Sequence, residues 1–137
     1  MNSPEVLSLV IPCFNEEKTL RACIERCLLL KGHGIGLELV IVDDCSTDAS
    51  FNVATALAAE HREVVVFGQP RNMGKGAALR AGFEHASGDY VGIQDADAEY
   101  DPLDYLEMLK PIRDGKADVV YGSRYLRRDT RRVLYFW

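Results

Sequence analysis

No stretch of this sequence approaches the roughly 18 consecutive apolar residues that a membrane-spanning helix requires. Nor do the first residues, Met1-Asn2-Ser3-Pro4-Glu5, offer the basic region and apolar core of an export signal. Histidine is scarce: there are three, His33, His61 and His85, and none falls in a loop that follows an expected strand. A Cys-His or Ser-His nucleophilic mechanism built on Cys13 or Ser46 is disfavoured for want of a base. The four cysteines show no Cys-x-x-Cys spacing. Cys23 and Cys27 stand one helical turn apart and Cys13 and Cys45 each follow an expected strand, so all four read as reduced thiols rather than a disulfide or zinc site. Gly-x-Gly-x-x-Gly is missing from the turn Pro12-Cys13-Phe14-Asn15-Glu16, which disfavours dinucleotide-binding Rossmann enzymes and methyltransferases. Gly74-Lys75-Gly76 lacks both the earlier glycine and the following Ser or Thr of a phosphate-binding P-loop. Basic residues are outnumbered, 16 against 21 acidic ones, and the net charge of -5 argues against general nucleic-acid binding.

What the chain of 137 residues does contain is an alternation of strand and helix signals, enough for one domain or part of one. Apolar runs predict strands at Val6 to Ile11, stopped by Pro12, and at Leu37 to Val42, Glu63 to Gly68, Tyr90 to Gln94 and Asp118 to Tyr121. Helical spacing and capping residues predict helices at Glu17 to Leu30, from about Ala49 to Glu60, at Ala77 to Ala86, and from the Asp101-Pro102 cap to about Ile112. Strands separated by helices and never by a hairpin imply right-handed crossovers and an α/β fold: a mostly parallel sheet with helices on both faces. In such sheets ligands bind beyond the carboxyl ends of the strands, where the strand order reverses. Asn15-Glu16, Asp43-Asp44, Lys75 and the acidic stretch Asp95 to Glu99 all lie at or just past such ends, so they should converge on one crevice.

The acidic stretch organises the rest. In extended chain, Asp95, Asp97 and Glu99 point the same way, and their mutual repulsion is tolerable if a cation sits between them. Mg²⁺ or Mn²⁺ suits these hard oxygen ligands and also takes oxygens from a diphosphate. The plainer alternative is a strand end with solvated acids. Asp43-Asp44 closes the second strand, where a carboxylate can accept the N–H of a nucleobase; the alternative is an acid that caps a helix. A base at one strand end and a metal-bound diphosphate at another describe a nucleotide-sugar site.

Five segments carry a family resemblance in their order and spacing: Val10-Ile11-Pro12-Cys13-Phe14-Asn15-Glu16, Val42-Asp43-Asp44-Cys45-Ser46-Thr47-Asp48, Asn72-Met73-Gly74-Lys75-Gly76, Gln94-Asp95-Ala96-Asp97-Ala98-Glu99-Tyr100-Asp101-Pro102 and Gly122-Ser123-Arg124-Tyr125. Together they resemble family 2 glycosyltransferases of the GT-A fold, above all the polyprenyl-phosphate and dolichyl-phosphate mannosyl and glucosyl transferases. The resemblance implies transfer of a hexose, with inversion, from a UDP- or GDP-sugar to a polyprenyl phosphate at the cytoplasmic face of a membrane. Pro12, Phe14 and Glu16 would line the nucleoside pocket, with Asp44 at the base and Val42 and Asp43 beside it. Lys75 and Ala96 would complete the donor site, Asp95, Asp97 and Glu99 would hold Mg²⁺ or Mn²⁺, and Arg124 would meet the lipid phosphate.

Relatives continue beyond this length, so the resemblance implies an N-terminal part, with the nucleotide-sugar-binding portion at 1–125. Residues 126–137 form a basic and aromatic tail, Arg127, Arg128, Arg131 and Arg132 before Val133-Leu134-Tyr135-Phe136-Trp137. Its pattern suits the start of a helix in a membrane interface, and burial of the same helix against the sheet is the competing explanation. Two other readings stay open: a family 2 transferase acting on a saccharide hydroxyl, and a nucleotide-binding module without turnover. The sequence also leaves a homo-oligomer open.

Overall fold

The structure, a computed structural model, describes residues 4–96 and 101–116. The expected strand at Asp118 to Tyr121, the site residues Asp97, Glu99 and Arg124, and the tail lie outside the described residues. Within them the order is β1 (Val6–Cys13), α1 (Leu20–Cys27) extended by a 3₁₀ turn (Leu28–Leu30), β2 (Gly36–Asp43), α2 (Ser50–Glu60), β3 (Val64–Gly68), α3 (Lys75–His85), β4 (Tyr90–Ile93) and α4 (Asp104–Arg113). All pairings are parallel, in the order β3-β2-β1-β4. This is the α/β architecture that the alternating signals predict.

Strand β1 is central, and its near-continuous burial reflects cover on both faces. Leu7, Leu9 and Ile11 point into the larger core with Leu20, Ile24, Leu57 and Leu109, from α1, α2 and α4. Val10 points the other way and packs with Val40, Val42, Ala78 and Leu79, under α3 alone. Steps from β1 to β2 to β3 run in one direction with their helices on one face. The return step through α3 crosses to the far side of β1 on the opposite face, as crossovers of a single hand require. Strand order therefore reverses between β1 and β4.

Several boundaries differ from the sequence expectation, each for a local reason. Pro12 does not stop β1, which runs on to Cys13 in register with β2. The Val10 carbonyl accepts from Gln94 N–H at 2.9 Å, so alternate residues of β1 direct their polar backbone groups at β4. Proline falls one step beyond that last rung, where no N–H is needed. Helix α1 begins at Leu20 rather than Glu17, after a turn in which Thr19 and Leu20 N–H donate to the Glu16 carbonyl at 3.2 and 2.9 Å. That turn is tied to the start of α2 by Glu16 N–H on Ser50 Oγ at 2.7 Å and Glu17 N–H on Asp48 Oδ2 at 3.3 Å. Helix α3 starts two residues early, directly after Gly74, whose φ of 93° favours glycine. Helix α4 begins at Asp104, preceded by tight turns in which Asp101 Oδ1 accepts from Leu103 N–H at 3.0 Å. The tyrosine Tyr105 donates its hydroxyl to the Ile93 carbonyl and fastens α4 to β4.

Candidate functional site

The β1–β4 ladder ends at Val10, and beyond it the strands part. Above the gap lies a cavity of about 290 Å³ walled by Pro12 near the end of β1, Phe14 and Glu16 after it, Asp44 after β2, Lys75 at the start of α3, and Asp95 and Ala96 after β4. Of the polar groups expected to converge, Glu16, Asp44, Lys75 and Asp95 do so. Asn15 is exposed nearby. Val42 and Asp43 are buried and are not among the walls. Among the described residues, no group of three or more His, Cys, Asp or Glu side chains is arranged to hold a metal, and of the three expected ligand acids only Asp95 is described.

Two loops are latched together on one side. Asn15 adopts φ 53°, a left-handed conformation that asparagine tolerates. This turns its Oδ1 onto Thr47 N–H at 2.8 Å and Asp48 N–H at 3.3 Å, while its own N–H donates to Ser46 Oγ at 2.9 Å. Cys45 shares the left-handed geometry, φ 59°, with no such excuse in its side chain.

The adjacent acids divide their work. Asp43 folds back on its own turn, accepting from Ser46 N–H at 3.0 Å and Ser46 Oγ at 2.5 Å. Asp44 reaches across to the loop before α3, with Oδ1 on Met73 N–H at 2.8 Å and Oδ2 on Gly74 N–H at 2.9 Å. It supplies the anion that the start of α3 favours, since α3 has no acid of its own in its first turn. Each carboxylate oxygen retains a further acceptor position. Two neighbouring acids thus have structural partners about 3 and 30 residues away, a contact at long range that no spacing rule reveals.

Across the cavity, Lys75 Nζ donates to Asp95 Oδ1 at 2.7 Å. The Asp95 carbonyl is held in turn by the Cys23 thiol at 3.4 Å and Gln94 Nε2 at 3.3 Å. Cys13 and Ala78 complete the wall. Ala78 carries no polar signal in the sequence, and Cys13 enters because β1 continues past Pro12. Burial pushes the Cys13 thiol up to about 11; a hydrogen bond with Ser50 opposes the rise and the Asp43 charge adds to it. It is therefore a neutral thiol near pH 7, and no histidine lines the cavity.

Comparison with known proteins agrees with this architecture. A family model described as "Glycosyl transferase family 2" matches residues 8–135. The chain is 34% identical over 143 residues to the dolichyl-phosphate beta-glucosyltransferase ALG5D of Trichomonas vaginalis, covering 96% of this chain and 44% of that protein. It is 31% identical over 121 residues to the dolichol-phosphate mannosyltransferase of Pyrococcus furiosus, covering 88% of this chain and 34% of that protein. A solved mannosyltransferase from Pyrobaculum calidifontis, in complex with GDP-Man and Mn²⁺, aligns with a TM-score of 0.59 at 27% identity, over 70% of this chain and 28% of that one. The chain spans less than half the length of these relatives. Its parallel sheet is that of the GT-A glycosyltransferases, and with the family model extending over nearly all of its residues, the chain belongs to glycosyl transferase family 2.

Proposed function

We propose that this chain is the donor-binding part of an inverting enzyme that transfers mannose or glucose from a nucleotide diphosphate sugar to a polyprenyl phosphate. The observation that carries the reading is the cavity at the β1–β4 divide, where Glu16, Asp44, Lys75 and Asp95 meet beside Pro12 and Phe14. In this proposal the nucleoside lies against Pro12, Phe14 and Glu16, with its base edge toward Asp44 and with Val42 and Asp43 supporting that strand end from below. The diphosphate lies toward Lys75, Ala96 and Asp95. Asp95, Asp97 and Glu99 would hold Mg²⁺ or Mn²⁺, which supplies Lewis-acid stabilisation of the departing diphosphate. Arg124 would meet the acceptor phosphate.

A phosphate acceptor is already anionic and needs no strong base, which accords with a cavity walled by acids, a lysine and a neutral thiol. The named relatives transfer to dolichyl phosphate or dolichol phosphate, and the solved neighbour holds GDP-Man with Mn²⁺. Residues 126–137 would rest on the cytoplasmic face of a membrane; among the described residues no helix is long and apolar enough to cross one. Calorimetric titration of UDP-glucose and GDP-mannose with Mn²⁺ tests the donor site. Saturable binding of one donor, lost in Asp95→Asn, is the expected result, and binding of neither donor would overturn the reading. Co-sedimentation with anionic and neutral vesicles tests the tail: a chain ending at Tyr125 should lose the preference for anionic vesicles.

A further inference from the structure

Phe14 walls the nucleoside side of the cavity, yet it is 42% exposed, so packing against the core does not fix where its ring stands. Its backbone must do so, and the next residue supplies the means. Asn15 bends the chain at φ 53° and turns one atom, Oδ1, onto three donors of the turn after β2: Thr47 N–H at 2.8 Å, Thr47 Oγ1 at 3.2 Å and Asp48 N–H at 3.3 Å. The clasp is reciprocal. Asn15 N–H donates to Ser46 Oγ at 2.9 Å, and Ser46 is itself aimed by both oxygens of Asp43. Two more bonds join the same stretches of chain, Asp44 N–H on the Cys13 carbonyl at 2.9 Å and Glu16 N–H on Ser50 Oγ at 2.7 Å. Phe14 and Glu16 on one side and Asp44 on the other are thereby set at one spacing before any ligand arrives.

A neutral amide suits this position better than a carboxylate. The two stretches carry Glu16, Glu17, Asp43, Asp44 and Asp48, and none of these acids enters an ion pair with Lys or Arg among the described residues. Aspartate at position 15 would accept the same three hydrogen bonds and tolerates the same backbone conformation, but it would add a charge to that group. Glycine would keep the conformation and lose the acceptor; alanine would lose both. The geometry points to Asn15 as a positioning residue, outside the cavity wall itself, that holds Phe14 and Glu16 at the distance from Asp44 that a nucleoside requires. This rests on the donor-site reading above and gives the nucleoside half of that site its own fastener. The diphosphate half, around Lys75 and Asp95, lies outside the clasp.

Calorimetry of the full chain with UDP, GDP and plain diphosphate, at one fixed Mg²⁺ concentration, reads the clasp as the ratio of nucleotide to diphosphate affinity. Asn15→Ala should lower that ratio about five- to thirtyfold, the net effect of losing one or two hydrogen bonds that keep the binding-competent arrangement populated. Asn15→Gly should do the same despite its easy left-handed backbone. Asn15→Asp should restore the ratio while weakening both ligands together, and that common weakening should fade with added salt. In a Phe14→Ala background, Asn15→Ala should change the ratio less than it does in the wild type. A wild-type ratio in Asn15→Gly would make the backbone conformation, not the amide, the determinant and overturn the clasp. Equal losses of nucleotide and diphosphate in Asn15→Ala would overturn it too, since they mark a role in the fold alone. Either result leaves the donor site standing, whereas a wild-type chain that binds neither UDP nor GDP overturns the donor site and the clasp together.

Discussion

Cys45, in the turn after β2, and Cys13, in the cavity wall, illustrate how backbone and burial set the properties of a single side chain. Cys45 is exposed and lies in the left-handed region, a conformation that costs an ordinary residue about 1–2 kcal/mol. Glycine pays no such penalty but loses more chain entropy, so Cys45→Gly should stabilise the fold by up to about 1 kcal/mol, measured as a shift of the urea midpoint. A loss of stability would mean that the Cys45 side chain makes a contact that offsets its strain. Cys13 is buried, and burial raises its thiol from an ordinary 9.0 to about 11. Because the folded value is the higher one, Cys13 favours the native state below about 9, and that contribution is lost as pH rises from about 9 to about 11. Alkylation of the native protein near pH 8, followed by mass spectrometry, should label Cys45 and spare Cys13. Early labelling of Cys13 would show that the wall of the cavity opens.

At the scale of elements, α3 is held to the sheet by the lack of a side chain. A Cβ at Gly82 would stand 2.3 Å from Val10 Cγ1, whereas one at Gly76 in the same helix meets only a flexible guanidinium. Gly76→Ala should therefore gain up to about 1 kcal/mol of helix propensity. Gly82→Ala should forfeit that gain and lose about 1–3 kcal/mol to overpacking, again read from denaturation midpoints. The far end of α3 leads into a polar clamp: Ser8 Oγ donates to Glu38 at 2.6 Å and accepts from Gly88 N–H at 2.8 Å, while Ser87 N–H and Oγ donate to Glu38 at 2.9 and 3.0 Å. Burial works to raise the Glu38 carboxyl, but the hydrogen bonds from Ser8 and Ser87 outweigh it and hold it below its ordinary value. The stabilisation is thus present above the ordinary glutamate range and is lost as pH falls through the lowered folded value. Wild type should exceed Glu38→Gln in stability near pH 7, and the difference should shrink under acid. A difference that stays constant would assign it to shape rather than charge. The four described strands were legible in the sequence because each is an apolar run, buried almost throughout in β1 and over the second half of β2, and only partly covered in β3 and β4. The starts of α1 and α3 were not, since the turns before them are tied to Ser50, Asp48 and Asp44, parts of the chain distant in sequence.

Taken as a whole, the molecule gathers Glu16, Asp44, Lys75 and Asp95 from four separate connections, and their convergence was legible because each follows the carboxyl end of a strand or opens the helix after one. The division of labour between Asp43 and Asp44 was not legible, as adjacent acids look equivalent until the loop at Met73 and Gly74 is in place. Since Asp44 both faces the cavity and anchors that loop, Asp44→Ala should weaken binding of plain diphosphate and weaken nucleoside diphosphate further. Equal losses for the two ligands would leave Asp44 as a loop anchor alone.

The strand order has a kinetic consequence. Strand β1 leads the described chain, receives β2 after about 30 residues, and waits for β4 until residue 90. Both walls of the cavity exist only when that last neighbour has docked, so donor affinity should arise at the end of folding and not along the way. Nucleotide and Mn²⁺ added during refolding should then leave the folding rate unchanged and slow only unfolding. On the ribosome, the same chain should remain blind to its ligand until the residues of β4 and Asp95 have emerged.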